Sequence, residues 1–317
     1  MGINAAEFAP TRFSTEDVPE RDRLPRWREE FGRVVVRVDI EPVSPERPYR
    51  AEAITRTLPG LRTAECNGAS ARYTRTKAMA ADSDDSIGLI VNLGPKALVS
   101  QQDETVMLGR GDTYTILSEE AATLTATRHL CIVMPREALA SRVDDLDRAM
   151  RVIPNSVGPL RLLVNYLTLV QEEIGLCRPE LRQSVVSHIH DLAALALGAN
   201  RDTQQRGLGA VAAARLAAAL ADIHRSFTDP GLTQAAVARR QGVSPRYLQK
   251  LLEQSGMSFT ARVNELRLQR AFMLLSKAQS RGRSISEIAW QAGFSNISHF
   301  NRLFRARFGD TPSGIRS

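Results

Sequence analysis

The chain has 317 residues, of which 43% are hydrophobic, 24% charged and 5% aromatic; this suits two ordinary globular domains better than one. Its three cysteines, Cys66, Cys131 and Cys177, are widely spaced and odd in number, which argues against a disulfide framework and for a reducing compartment. No apolar run approaches the ~18 residues of a membrane helix, and residues 1–10 lack the basic and apolar regions of a secretory leader. Secreted, membrane-spanning and disulfide-stapled readings are therefore set aside, and a cytoplasmic protein is expected.

The net charge of +7 is unevenly placed. Over 206–317, seventeen Lys/Arg stand against six Asp/Glu, a net of +11, which leaves the first 205 residues at −4. One end of the chain is built to meet a polyanion and the other is not.

Residues 1 to about 20 read as a polar arm, followed over 21–31 by a short helix that would bury Leu24, Trp27 and Phe31. From 34 to 134 the pattern becomes short strand-like runs: Val34-Val35-Val36, Ile87-Gly88-Leu89-Ile90-Val91, Ala97-Leu98-Val99, Thr113-Tyr114-Thr115-Ile116-Leu117 and Leu130-Cys131-Ile132-Val133. Breakers such as Leu58-Pro59-Gly60, Leu93-Gly94-Pro95 and Gly109-Arg110-Gly111-Asp112 separate them, which predicts a β-sandwich or small barrel. After Pro135 the chain turns helical. The spans 160–174 and 181–197 carry apolar stripes, Leu163, Leu167 and Val170 in the first and Val185, Ile189, Leu192 and Ala196 in the second. They read as an αα-hairpin that covers the β domain or pairs with a second copy. The polar, Gly-flanked span 198–209 is read as a linker. Beyond it six helices are expected, over 211–227, 233–241, 245–254, 259–276, 284–291 and 296–308.

The last hundred residues contain one pattern twice. Val237-Ala238-x3-Gly242-Val243-Ser244 recurs 51 residues later as Ile288-Ala289-x3-Gly293-Phe294-Ser295. This is the logic of a helix-turn-helix. A small residue (Ala238, Ala289) sits where the second helix crosses the first, and a glycine takes the tight turn. Val243 or Phe294 plugs the core, and Ser244 or Ser295 caps the second helix. Ser284-x-x-Glu287 adds a capping box. In the first unit Leu248, Leu251 and Leu252 face inward, which turns Arg246, Gln249 and Lys250 outward. In the second, Phe300, Leu303 and Phe304 face inward, leaving Ile297, Ser298, Asn301, Arg302 and Arg305 for solvent or DNA. Arg and Lys suit a guanine edge or a phosphate, and Gln suits adenine. The intervening helix of 18 residues would be ~27 Å long, enough to hold two reading helices about one DNA turn apart.

Residues 206–317 resemble the AraC/XylS family of bacterial transcription regulators. The resemblance is carried by Phe259…Asn264-x-x-Arg267-Leu268-x-x-Ala271-x-x-Leu274-Leu275, by Ile285-Ser286-Glu287-Ile288-Ala289-x3-Gly293-Phe294, and by Phe300-x-Arg302-x-Phe304-x3-Phe308-Gly309-x-Thr311-Pro312. It implies a bihelical DNA-binding domain with one helix of each unit in successive major grooves. By motif alignment Arg246, Gln249, Lys250, Ile297, Ser298 and Arg302 fall where bases or backbone are met. Ile297 departs from the polar residue many members carry there, leaving a thymine-methyl contact or no base contact. Trp27-Arg28-Glu29, Gly109-Arg110-Gly111-Asp112 and Pro135-Arg136 resemble the cupin-like sensor half of part of that family, in which a β-barrel is followed by dimerising helices.

The expectation is thus an α+β chain with a cupin-like β-barrel or sandwich over 1–155, a dimerisation hairpin and linker over 156–205, and an all-α DNA-binding domain over 206–317. The two helix-turn-helix units lie at about 233–254 and 284–308. The function implied is that of a ligand-responsive activator acting on operator DNA, a homodimer in the cytoplasm at the nucleoid, with RNA polymerase and a small organic effector as partners. The alternative is a ligand-independent regulator whose β domain only dimerises or contacts protein. No cofactor, metal or catalytic residue is expected. A metal cupin needs several histidines, whereas the barrel has only His129. His188 and His190 read as helix-surface or interface contacts, His299 as a phosphate contact or cap, and Cys66 and Cys131 as small core residues. No nucleophile elbow or phosphate-binding glycine loop is present.

Overall fold

The structure, a computed structural model, describes residues 8–81, 84–102, 104–146, 152–170, 176, 178–276 and 283–316. It divides into two compact units, Met1–Val211 and Ala212–Ser317.

The first unit is built on antiparallel strands. The helix α1 (Glu20–Arg26) follows β1 (Thr11–Ser14) and runs on as π-helical turns over Trp27–Val36. Then come β2 (Asp39–Pro42), β3 (Ala51–Leu58), β4 (Leu61–Arg75), the short α2 (Lys77–Ala81), β5 (Ser86–Asn92), β6 (Lys96–Gln101), β7 (Glu104–Gly109), β8 (Thr113–Leu117) and β9 (Ala122–Pro135). Helix α3 (Arg136–Ala140) and β10 (Val152–Ile153) close the series. Strands β4 and β9 are long enough to serve two layers. Up to Asn67, β4 pairs with β3 and with the C-terminal half of β9; after a break in register at Asn67/Ala71 it pairs with β2 and with the N-terminal half of β9. That half of β9 also pairs with β6, whereas its other half pairs with β5. The buried core draws Ala53, Cys66, Ile90 and Tyr114 from one run and Ile40, Ala71, Val99 and Leu124 from the other, so the two runs face each other across one interior.

Three sequence expectations change here. Val34-Val35-Val36 is helical, with Val34 70% exposed. The anchors Trp27 and Phe31, four residues apart and both buried, override the β preference of three valines. The hairpin β3–β4 has no counterpart among the expected strands: apart from Leu58, Leu61 and Tyr73 near the strand ends, many of its buried positions are small (Ala51, Ala53, Ala64, Ala71). Lastly, the polar span 198–209 is largely helix: α6 runs from Arg201 to Ser226, separated from the preceding helix by only three residues. Asn200 caps it, its Oδ1 accepting from the Thr203 amide at 2.9 Å. Gly207 serves close packing, since a Cβ there would lie 2.7 Å from Leu195 Cδ1.

The hairpin helices are α4 (Gly158–Val170) and α5 (Pro179–Leu197); the end of the expected 160–174 helix and Cys177 lie outside the described residues. Their apolar stripe turns onto the β3–β4 layer. His190 Nε2 donates to Gly60 O at 2.8 Å, and Arg56 Nη1 donates to Val170 O at 2.6 Å. Leu163 and Leu167 are 0% and 2% exposed in the single chain, so these two leucines are spent on the chain's own core.

The second unit contains the C-terminal part of α6, then α7 (Gln234–Arg240), α8 (Pro245–Gln254), α9 (Phe259–Leu275), α10 (Ile285–Gln291), α11 (Ile297–Phe308) and α12 (Pro312–Arg316). Thr203–Ser226 is apolar and long enough for a membrane span by composition alone, but Ala219 and Ile223 sit in this unit's core and Asp222 is ion-paired to Arg240 at 2.8 Å. The unit has two small cores. Ala219, Ile223, Val237, Ala238, Leu248 and Leu252 form the first, and Ala271, Ile288, Ala289, Phe294, Phe300 and Phe304 the second. Helix α9 feeds both, giving Val263 to one and Leu268 and Leu275 to the other.

Candidate functional sites

Each helix-turn-helix is fixed by local chemistry. Thr233 caps α7 by accepting from the Ala236 amide, and Ser244 caps α8 by accepting from the Tyr247 amide. In the second unit the capping box of Ser284 and Glu287 starts α10. The cap of α11 is Asn296, which accepts from the His299 amide at 2.8 Å, in place of the expected Ser295; an Asx side chain one residue on reaches the free amides better. Ala238 and Ala289 are fully buried at the helix crossings. Gly242 and Gly293 take the turns at φ +64° and +99°, a region that side chains other than glycine enter at a cost.

These turns point the candidate residues outward. Arg246, Gln249 and Lys250 are exposed on α8, and Ser298, Asn301, Arg302 and Arg305 are exposed on α11. Ile297 is half-buried and packs against the second core, so its side chain is shared between core and surface. Ile297, Asn301, Arg302 and Arg305 line one open groove with Ser286 and Thr311. Gln249 Nε2 donates to Glu253 Oε1 at 2.8 Å and Arg302 Nη2 to His299 Nδ1 at 3.1 Å; both are exposed contacts that a duplex can displace. Other basic residues have structural work. Arg240 binds the buried Asp222, and Arg307 binds Glu265 at 3.0 Å, which holds the Glu265 carboxyl below its ordinary pKa.

One residue has a role beyond anything read from its motif. Arg267, on α9, donates from Nε to Phe227 O and from Nη2 to Asp229 O, each at 2.7 Å. Its guanidinium also lies 6.0 Å from the centre of the Phe294 ring. It therefore ties the chain entering the first helix-turn-helix to the turn of the second. Gly293 allows this approach, since a Cβ there would lie 2.8 Å from Phe227 O.

The β domain holds a partly open cavity of about 110 Å³. Its walls include Phe31, Tyr73, Ile90, Ile116 and Leu124, with Cys66, Cys131 and His129 among them. His129 is buried, its Nδ1 has no hydrogen-bond partner, and Tyr73 meets its ring edge-on at 4.9 Å. Burial lowers its pKa to about 4, so the imidazole is neutral at physiological pH. The same burial raises both thiols, which suits core packing and leaves them protonated. His188 is half-buried and accompanies Tyr166 at 3.2 Å.

Residues 27–198 match the family model described as an AraC-binding-like domain, and residues 237–317 match a helix-turn-helix domain. The chain is 29% identical over 243 residues to the transcriptional activator RhrA of Rhizobium meliloti (strain 1021), covering 74% of each protein. It is 42% identical over 86 residues to the HTH-type transcriptional regulator GlxA of the same organism, and 36% identical over 105 residues to the HTH-type transcriptional activator RhaS of Escherichia coli. The last two matches span 26% and 36% of those relatives' length. Among solved structures, the AraC-like transcriptional activator CuxR shares the fold, with a TM-score of 0.50 at 19% identity over 90% of this chain and 100% of that one. The chain belongs to the AraC family of DNA-binding transcription regulators and is not an enzyme.

Proposed function

We propose that α8 and α11 enter successive major grooves of an operator, that α8 supplies most of the base readout, and that α11 supplies more of the affinity and register. The carrying observation is that two capped, exposed helices hang from the single helix α9, whose 17 residues span about 26 Å. Arg246, Gln249 and Lys250 offer a donor-rich set to base edges. Ser298 and Asn301 are short, whereas Arg302 and Arg305 reach further along the duplex toward phosphates. The β domain, with its partly open, largely apolar cavity, is read as an effector sensor in preference to a purely structural platform. The working form is a homodimer in the cytoplasm at the nucleoid. It joins through the exposed side of α4 and α5, where Leu181 is 43% exposed, and it recruits RNA polymerase.

A salt titration on operator and scrambled duplexes tests the division of labour. Arg246→Ala or Gln249→Ala should cost roughly 1–3 kcal/mol on the operator and much less on scrambled DNA. Arg302→Ala should weaken both duplexes evenly and reduce the salt slope by about one. Loss of discrimination in Arg302→Ala, with discrimination kept in the other two, would reverse the assignment.

A further inference from the structure

The caps of the two reading helices put a pair of aromatic rings in equivalent places. Ser244 accepts from the Tyr247 amide and Asn296 from the His299 amide, so Tyr247 and His299 are each the third residue past a cap. Both side chains are half-buried, on the flank of the helix between its core stripe and its outer face. A guanidinium reaches each ring. On α11 it comes from the same helix, with Arg302 Nη2 and His299 Nδ1 3.1 Å apart. On α8 it comes from outside the motif. Arg215, on the part of α6 that belongs to the second unit, lies over the Tyr247 ring, 5.5 Å from its centre.

Arg215 differs from the neighbouring arginines in what it holds. Arg225 and Arg240 share the buried Asp222, whereas among the described residues no carboxylate pairs with Arg215 and no acceptor takes its guanidinium N–H groups. Stacking on a ring uses the face of a guanidinium and leaves its edge donors for another acceptor. A bound duplex supplies one at this place. A helix about 10–12 Å across fills a major groove about 12 Å wide, so its flanks stand against the phosphates of the two strands. Helix α8 also lacks a cation that α11 has: counted from the caps, Glu253 stands where Arg305 does.

Resting on the reading that α8 lies in a major groove, we infer that Arg215 contacts a backbone phosphate at the edge of that groove. Tyr247 is its positioning residue. The ring fixes the plane of the guanidinium, whose forked N–H groups then meet two oxygens of one phosphate. Helix α6 thereby takes part in DNA binding, and the first helix-turn-helix gains from outside its motif a cation of the kind that the second carries on its own reading helix. The contact adds affinity and register and carries no sequence information of its own.

The test is a salt titration of the full chain on operator and scrambled duplexes, repeated on operators that carry one neutral methylphosphonate at each backbone position in turn. Arg215→Gln should weaken binding to both duplexes at least about fivefold and reduce the salt slope by about one. Arg215→Lys, which keeps the charge, should keep most of the slope. Tyr247→Phe should match the parent, whereas Tyr247→Leu should lose part of the slope. Neutralising one phosphate beside the bases that α8 reads should weaken the parent and leave Arg215→Gln unaffected. A parent-like salt slope in Arg215→Gln or in Tyr247→Leu would overturn the proposal, as would equal sensitivity of Arg215→Gln and the parent to every methylphosphonate. A merely structural role lowers affinity and moves neither readout. Two kinds of failure are separable. If the proposal is overturned while Arg246→Ala or Gln249→Ala still loses operator discrimination, α8 remains a reading helix and only the phosphate contact falls. If those variants also bind as the parent does, both fall.

Discussion

Replacing Arg267 by Met keeps the aliphatic stem but removes the two bonds that join the helix-turn-helix units, both 2.7 Å long and both to backbone carbonyls. Hydrogen bonds from a charged group contribute about 1.5–3 kcal/mol each when well shielded. The side chain is half-buried, so water can replace part of each bond, and the expected loss is about 2–3 kcal/mol for the pair. With a urea slope of roughly 1–2 kcal/mol/M for a unit of this size, the midpoint of the C-terminal transition should fall by about 1–3 M. Arg267→Lys, able to satisfy one carbonyl at a time, should lose about half as much. Urea unfolding followed by hydrogen exchange across 285–308 isolates this transition from that of the β domain. Operator affinity should drop, because the two reading helices are no longer held in register. The salt slope should stay as in the parent, because Arg267 meets carbonyls of its own chain and no phosphate. A midpoint within 0.2 M of the parent (roughly the precision of such curves), or a salt slope reduced by about one, would refute the assignment of Arg267 as a structural tie.

The two turn glycines should respond differently although they hold equivalent places in the repeat. A Cβ on Gly242 would meet nothing within 4 Å, so Gly242→Ala should cost only the left-handed backbone penalty of about 1–2 kcal/mol. A Cβ on Gly293 would press on Phe227 O at 2.8 Å and Arg267 Nε at 2.9 Å, so Gly293→Ala should cost at least about 2 kcal/mol more, read as the difference between the two variants in urea titrations. The β domain should be acid-sensitive through His129. Its folded pKa of about 4 lies below the ordinary ~6.5 of the unfolded chain. The unfolded state therefore binds the extra proton first, and stability is whole above pH 6.5 and falls as pH drops from there toward 4. The loss attributable to His129 is about 3 kcal/mol. His188 and His190 are shifted in the same direction and add to it, so the check is the difference between the parent and His129→Gln in thermal unfolding at pH 7 and pH 4.5.

What the sequence made legible follows from which physical signals are local. Helix stripes and caps are local. Leu248 and Leu252 of α8, and Phe300 and Phe304 of α11, bury as their spacing requires, and the Ser284–Glu287 capping box forms as written. Strand β5 announces itself because all seven of its residues are buried. The hairpin β3–β4 hides because its large buried side chains, Leu58, Leu61 and Tyr73, stand near the strand ends and the buried positions between are mostly alanine and threonine. The span 198–209 looked like a linker because it is polar and glycine-flanked, yet Asn200 is a good cap and Gly207 buys the approach of Leu195. Leu163 and Leu167 read as a stripe that either covers the β domain or meets a second copy, and their burial within the single chain is a tertiary fact that no periodicity contains.

The central claim is that two reading helices on one rigid support occupy two major grooves. The direct measurement is methylation interference at guanine N7 on an operator selected by the full chain from random duplex DNA. The expected result is two clusters of interfering guanines per half-site, centred about one helical turn (~10.5 bp) apart on one face of the duplex. Arg246→Ala should abolish interference in one cluster and leave the other. A single cluster per half-site, or binding insensitive to N7 methylation in an operator with guanines at both positions, would contradict the account.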